Sequence, residues 1–197
     1  MKKNRSIAIV IGVVILVAIV IGLSIWLTRD AELPSQSVPS IRREAMGMTF
    51  LLPEDWKIEA APVDFDTAES LVWVIPPGAG MDWVEMQISL HNATYYNQRG
   101  VSFQNYYTDG MTLEQWVDTR LDILGTNQPG SEYLKNKVTD SLFYISVKAP
   151  DDPQSGRIYF TISDGQAVQL VYMNAAGLSD SQMKVLEDLM ISVEAIA

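Results

Sequence analysis

The sequence predicts an α+β protein: an antiparallel β-sheet flanked by helices, preceded by one N-terminal transmembrane helix. Three observations predict it. Residues 7–27 form an apolar run without a charged side chain. From about residue 48 to residue 173, short stretches of period-two alternation are separated by turns rich in Pro, Gly and Asp. Two segments with helical periodicity open on capping boxes, Thr112 with Gln115 and Ser179 with Gln182. Strands joined by short turns give antiparallel sheets, and helices inserted at few points cover a face.

The run at 7–27 reads IAIVIGVVILVAIVIGLSIWL, 21 residues. As a helix it is ~32 Å long, enough for a hydrocarbon core of ~30 Å. β-Branched residues cost little there, because unpaired peptide groups in lipid are the worse alternative. Trp26 falls where an interfacial aromatic is expected. Lys2, Lys3 and Arg5 also suit the basic start of a cleaved signal, with Gly22-Leu23-Ser24 as a poor cleavage site. The run is longer than a signal core and no Ala-x-Ala comes after it, so a retained anchor is expected, basic end inside. Residues 1–6 are then cytoplasmic, 7–27 span, 28–45 form a linker around AELPSQSVPS, and 46–197 form one extracytoplasmic domain.

Composition excludes several chemistries. The 197 residues hold 14 Lys plus Arg, 24 Asp plus Glu, one His and no Cys, a net charge of −10. Without a thiol there is no disulfide, cysteine nucleophile or thiolate metal site. One imidazole is too few for a histidine-rich metal centre. Residues 31–197 carry ten basic against 23 acidic residues, a net −13, which disfavours nucleic acid and anionic headgroups as partners.

Within the domain, strands are predicted at 48–52 and 56–59 around the turn Pro53-Glu54-Asp55, and at 71–75, stopped by Pro76-Pro77-Gly78-Ala79-Gly80. Residues 83–90 alternate strictly, with Val84, Met86, Ile88 and Leu90 on one face and Glu85, Gln87 and Ser89 on the other, a half-buried strand. Further strands are predicted at 132–138, 142–148, 157–163 and 166–173, the last two joined by Asp164-Gly165, a strong hairpin signal. The first helix carries Leu113, Trp116, Val117, Leu121 and Leu124 on one stripe, with Gly125 as its stop. The second carries Met183, Leu186, Met190 and Val193.

The segment 48–58, MTFLLPEDWKI, resembles the opening hairpin of the PsbP-like superfamily, which includes PsbP, MOG-type and DcrB-like proteins. Thr112-Leu113-Glu114 is similar to that group's mid-chain helix start, and Ile191-Ser192-Val193 to its C-terminal ending. The resemblance covers roughly residues 46–195. It implies a sheet flanked by helices and a non-catalytic binding or assembly role, and it carries over no site residue.

Candidate chemistry is sparse. A serine hydrolase needs His91 as base beside a serine such as Ser102 and an aspartate such as Asp109, but no Gly-x-Ser-x-Gly elbow is present. A surface or strand-end histidine is the plainer reading. Residues 92–110, NATYYNQRGVSFQNYYTDG, set Tyr95, Tyr96, Phe103, Tyr106 and Tyr107 among polar residues and Arg99. Tyrosine gives large contact area at low entropy cost, so these six residues are the candidate partner-binding site; the alternative is rings packed back onto the sheet edge. Glu114, Asp118 and Asp122 make an acidic line on the first helix, a solvated face or a strip for a cation or basic partner. Asp64, Asp66 and Glu69, and Asp151-Asp152, read as turn chemistry or, less simply, as carboxylate pairs for glycosidic cleavage. Asn92-Ala93-Thr94 matches a glycosylation acceptor.

The expectation is a single-pass cell-membrane protein whose outer domain binds a protein or ligand at the envelope, with no cofactor, no metal and no nucleic acid. Two alternatives are a cell-envelope hydrolase using His91 or a carboxylate pair, and a divalent-cation-sensing domain.

Overall fold

The structure, a computed structural model, describes residues 39–60, 71–79, 87–98, 106–127, 130–149, 155–173 and 178–196. These lie in one compact unit, Val38–Ala197. No helix among the described residues is long and apolar enough to cross a membrane. The run at 7–27 lies outside them.

The chain starts with a hairpin. β1 (Ser40–Ala45) and β2 (Met48–Pro53) pair antiparallel around Met46-Gly47, whose φ angles are 51° and 71°. Two successive left-handed residues make the turn that matches strand twist. β1 is a correction to the predicted linker 28–45, whose last residues are sheet. Met46 replaces the Asn or Asp such a turn favours, and burial of its side chain at 7% exposure offsets the unfavourable φ.

Beyond β2, Trp56 N–H closes a turn on the Pro53 carbonyl at 3.0 Å, and β3 (Lys57–Ala60) comes next. Residues 48–58 are nevertheless not a hairpin, because β3 pairs with β4 (Leu71–Ile75) in a different sheet. The chain continues through β5 (Gln87–Asn92), the short α1 (Ala93–Gln98) and α2 (Leu113–Asn127). Then come β6 (Glu132–Thr139), β7 (Leu142–Lys148), β8 (Ser155–Ser163), β9 (Gln166–Met173), α3 (Asp180–Ile191) and β10 (Glu194–Ala195). Both capping boxes form: Thr112 and Gln115 exchange bonds of 2.9 and 3.2 Å, and Ser179 with Gln182 caps α3. Gly125 does not stop α2, which runs on to Asn127.

The α+β class and antiparallel pairing stand, but as two sheets, one of order β1-β2-β10 and one of order β3-β4-β5-β9-β8-β7-β6. The small sheet and α3 cover one face of the large sheet through a core containing Phe50, Leu52, Leu90, Leu170, Tyr172 and Leu186. α2 covers the other face, where Trp116 meets Phe160 edge-on at 5.1 Å. Each such aliphatic or aromatic side chain contributes about 1.5–3 kcal/mol by leaving water.

Covering both faces explains why β5 is not half-buried as its alternation predicts. Ile88 and Leu90 face the α3 side, while Ser89 and His91 are also buried, at 8% and 4% exposure.

Candidate functional site

The α2-facing side of β5 and β9 carries a polar group inside an otherwise apolar layer. Ser89 and His91 are two apart on β5 and so share a face. His91 Nε2 and Ser89 Oγ lie 2.9 Å apart. Gln169 stands directly opposite His91 across the β5–β9 ladder and is 2% exposed, with its Oε1 buried and unbonded. Burial, and then the positive charge of Arg120, lower the His91 pKa to about 4. The ring is therefore neutral at physiological pH.

Arg120 comes from α2, on the stripe that also holds Trp116, Val117, Leu121 and Leu124. Its guanidinium lies over the Tyr106 ring at 4.9 Å. Burial lowers the Arg120 pKa, opposed by its interaction and hydrogen bond with Tyr106. Tyr106 itself sits at φ 56°, an uncommon and costly conformation for a bulky side chain.

The candidate tyrosines do not gather into one surface. Tyr96 is 1% exposed and packs inside. Tyr95 is half-buried against the first core, beside Gly47. Tyr106 and Tyr107 lie toward α2, Tyr107 edge-on to Trp116 at 5.1 Å. Asn97 Nδ2 ties this segment down by donating to the Tyr107 carbonyl and to Asp109 Oδ1, each at 3.2 Å. Arg99 and Phe103 lie outside the described residues, as do Ser102, Asp64, Asp66, Glu69 and Asp151-Asp152.

Two sequence expectations change here. His91 lies at the end of β5, as the plainer reading allows, but it is buried rather than on the surface, with the Ser89 hydroxyl 2.9 Å from its Nε2. Asn92 is fully buried, donating Nδ2 to the Met46 carbonyl at 2.9 Å and to Gln166 Oε1 at 2.8 Å, so the glycosylation match is occupied by packing. Thr94 of the same match accepts from Ala167 N–H at 2.9 Å and donates to the Gly165 carbonyl at 3.2 Å. The acidic line on α2 is a solvated face as expected, with the Glu114 and Asp118 side chains 68% and 54% exposed, and Lys135 of β6 bridges the two at 3.1 and 2.5 Å. Among the described residues, no three His, Asp or Glu side chains come together in a metal-binding group.

Sequence reasoning misses Ser89, Gln169 and Arg120. Two signals are present: the i, i+2 spacing of Ser89 and His91, and a cation on the apolar stripe of a helix. Gln169 has none, since its burial depends on the layer placed over it.

A second polar network lies on the α3 side. Arg157 Nη1 donates to Tyr159 Oη at 3.1 Å, and that hydroxyl donates to Glu187 Oε1 at 3.4 Å. Arg157 also lies 3.8 Å from Glu187 and 4.8 Å from the Tyr144 ring centre. Burial pushes Tyr159 up to about 12 despite its bond from Arg157.

No family model matches the chain, and no curated protein does. Among solved structures it is similar to the solution structure of cyanobacterial PsbP (CyanoP) from Synechocystis sp. PCC 6803. The identity is 11% and the TM-score 0.48, covering 83% of this chain and 96% of that one.

Proposed function

We propose that the chain is a membrane-anchored, extracytoplasmic accessory module that works through protein contacts at the cell envelope and carries out no reaction of its own. The burial of His91 is the observation that carries this reading. A general base needs a pKa near working pH and reach to its substrate; the chain's one imidazole is 4% exposed with a pKa of about 4. The anchor rests on the apolar run at 7–27, and a tether that holds the body at the bilayer raises its effective concentration for neighbouring complexes. The contacts rest on Tyr106 and Tyr107, half-buried toward α2, and separately on Tyr95, half-buried against the first core, together with Arg99 and Phe103.

Proximity labelling from the C-terminus in intact cells tests the module, alongside protease added outside the cells. The expected result is a reproducible set of neighbours, depleted when Tyr95, Tyr106 and Tyr107 are changed to Ser, and a body that external protease digests. Unchanged neighbours, or a protected body, would overturn the proposal.

The hydrolase alternative has one observation in its favour, the 2.9 Å approach of Ser89 to His91. Against it, both groups are sealed in the sheet, at 8% and 4% exposure, out of reach of a substrate. If purified protein turned over an envelope substrate and His91→Ala abolished it, the module would give way to the enzyme.

A further inference from the structure

We propose that Arg120, with Tyr106 and Gln169 near it, forms a binding site for a small carboxylate ligand between α2 and the large sheet. Charge singles the place out. In a body of net −13, basic side chains find carboxylates readily: Arg42 meets Glu194 at 2.9 Å, Lys137 meets Asp140 at 2.7 Å and Arg157 meets Glu187 at 3.8 Å. Lys135 holds Glu114 and Asp118, and Lys184 holds Asp188. Among the described residues Arg120 makes no such pair, and neither do Arg43, Lys57 and Lys148; but Lys57 and Lys148 are exposed and Arg43 donates to the Trp56 carbonyl at 3.4 Å, whereas Arg120 is half-buried. Its surroundings are Tyr106, Tyr133 and His91, with no carboxylate facing it among the described residues.

Arg120 Nε is buried without a hydrogen-bond partner, and so is Oε1 of Gln169, which stands across the β5–β9 ladder from His91, the ring that feels the Arg120 charge. A partly buried, uncompensated cation is expensive, and an apolar residue would suit this position on the α2 stripe better. Residues that break a local rule without a structural return mark places kept for binding. The left-handed backbone of Tyr106, the residue stacked on the guanidinium, is a second such cost at the same place.

The donor set selects the ligand class. One guanidinium beside a neutral imidazole offers a single positive charge, which matches a monoanion, and the guanidinium fork is planar like a carboxylate. Phosphate near neutral pH carries more charge than this site compensates. Gln169 Oε1 is an acceptor, so a ligand with a hydroxyl next to its carboxylate suits the site better than one without. Arg120 and Tyr106 are both half-buried, which leaves the site an open side.

The test is a thermal melt of the full chain in detergent, monitored by tryptophan fluorescence at neutral pH and matched ionic strength. The probes are sodium acetate, L-lactate, phosphate and chloride. A ligand that binds only the folded state raises the midpoint with its concentration. Lactate is expected to raise it most, acetate less, and chloride and phosphate not at all. Arg120→Met is expected to melt at or above the wild type without ligand and to lose the shift. Should Arg120→Met fail to fold, Arg120→Lys, which keeps the charge without the fork, carries the comparison and is expected to lose most of the shift. A wild-type midpoint that ignores acetate and lactate overturns the site, as does an Arg120 variant that responds like the wild type. A phosphate shift as large as that of lactate overturns the ligand class.

Discussion

Asn92 shows how much one buried side chain can organise. Its Nδ2 reaches the β1–β2 turn at Met46 and the start of β9 at Gln166, while its Oδ1 accepts from Tyr95 N–H at 3.1 Å, capping α1. Asn92→Ala strands the Met46 carbonyl and uncaps the helix, a loss of about 2–4 kcal/mol from three bonds, measurable by urea unfolding. His91 makes stability depend on pH. The folded ring titrates at about 4 and the unfolded one at its ordinary 6.5, so between those values the unfolded chain binds the extra proton. Stability therefore falls as pH drops through that window, by about 3 kcal/mol once complete. His91→Gln is expected to flatten this slope relative to the wild type in denaturation curves taken across the window. An equal slope in both proteins would mean the acid sensitivity arises from carboxylates instead.

Elements differ in how openly they are written. α2 and α3 are legible because capping boxes and apolar stripes act within a few residues, and both boxes form. The β8–β9 hairpin is equally local: Asp164 and Gly165 adopt φ of 48° and 75°, the left-handed pair that Asp-Gly favours. β1 is not legible in this way, because Met-Gly is not a recognised turn pair, and its left-handed Met46 is tolerated only through burial in a core that distant elements complete. Gly156 on β8 marks where strands come close. A Cβ there would lie 2.9 Å from the Tyr172 carbonyl oxygen and 3.1 Å from Met173 Sδ. Gly156→Ala is expected to cost about 1–3 kcal/mol by pushing β8 off β9, read as a lower unfolding midpoint. Because backbone cannot move aside as a flexible side chain does, a neutral substitution would show that the strand edge shifts freely.

At the scale of the whole molecule, the candidate site is only partly legible in the sequence. The aromatic stretch points to Tyr106 and Tyr107, which do lie against α2, but also to Tyr96, which is core. The cation that makes this face unusual, Arg120, escapes a sequence reading because nothing local distinguishes a stripe cation that is compensated from one that is not. The amino-acid order alone determined the α+β class, most strand and helix positions, the caps and turns, the apolar run at 7–27 and the acidity of the chain beyond it. All of these act through neighbours a few residues apart or through simple composition. Only the tertiary structure decided that the strands divide into two sheets, that both faces of the larger one are covered, and that His91, Asn92 and Gln169 end inside it. Burial is a property of the layer laid over a residue: the β5–β9 ladder joins positions far apart in the chain, such as His91 and Gln169, and α2 closes the second face, so no short window of sequence contains that information.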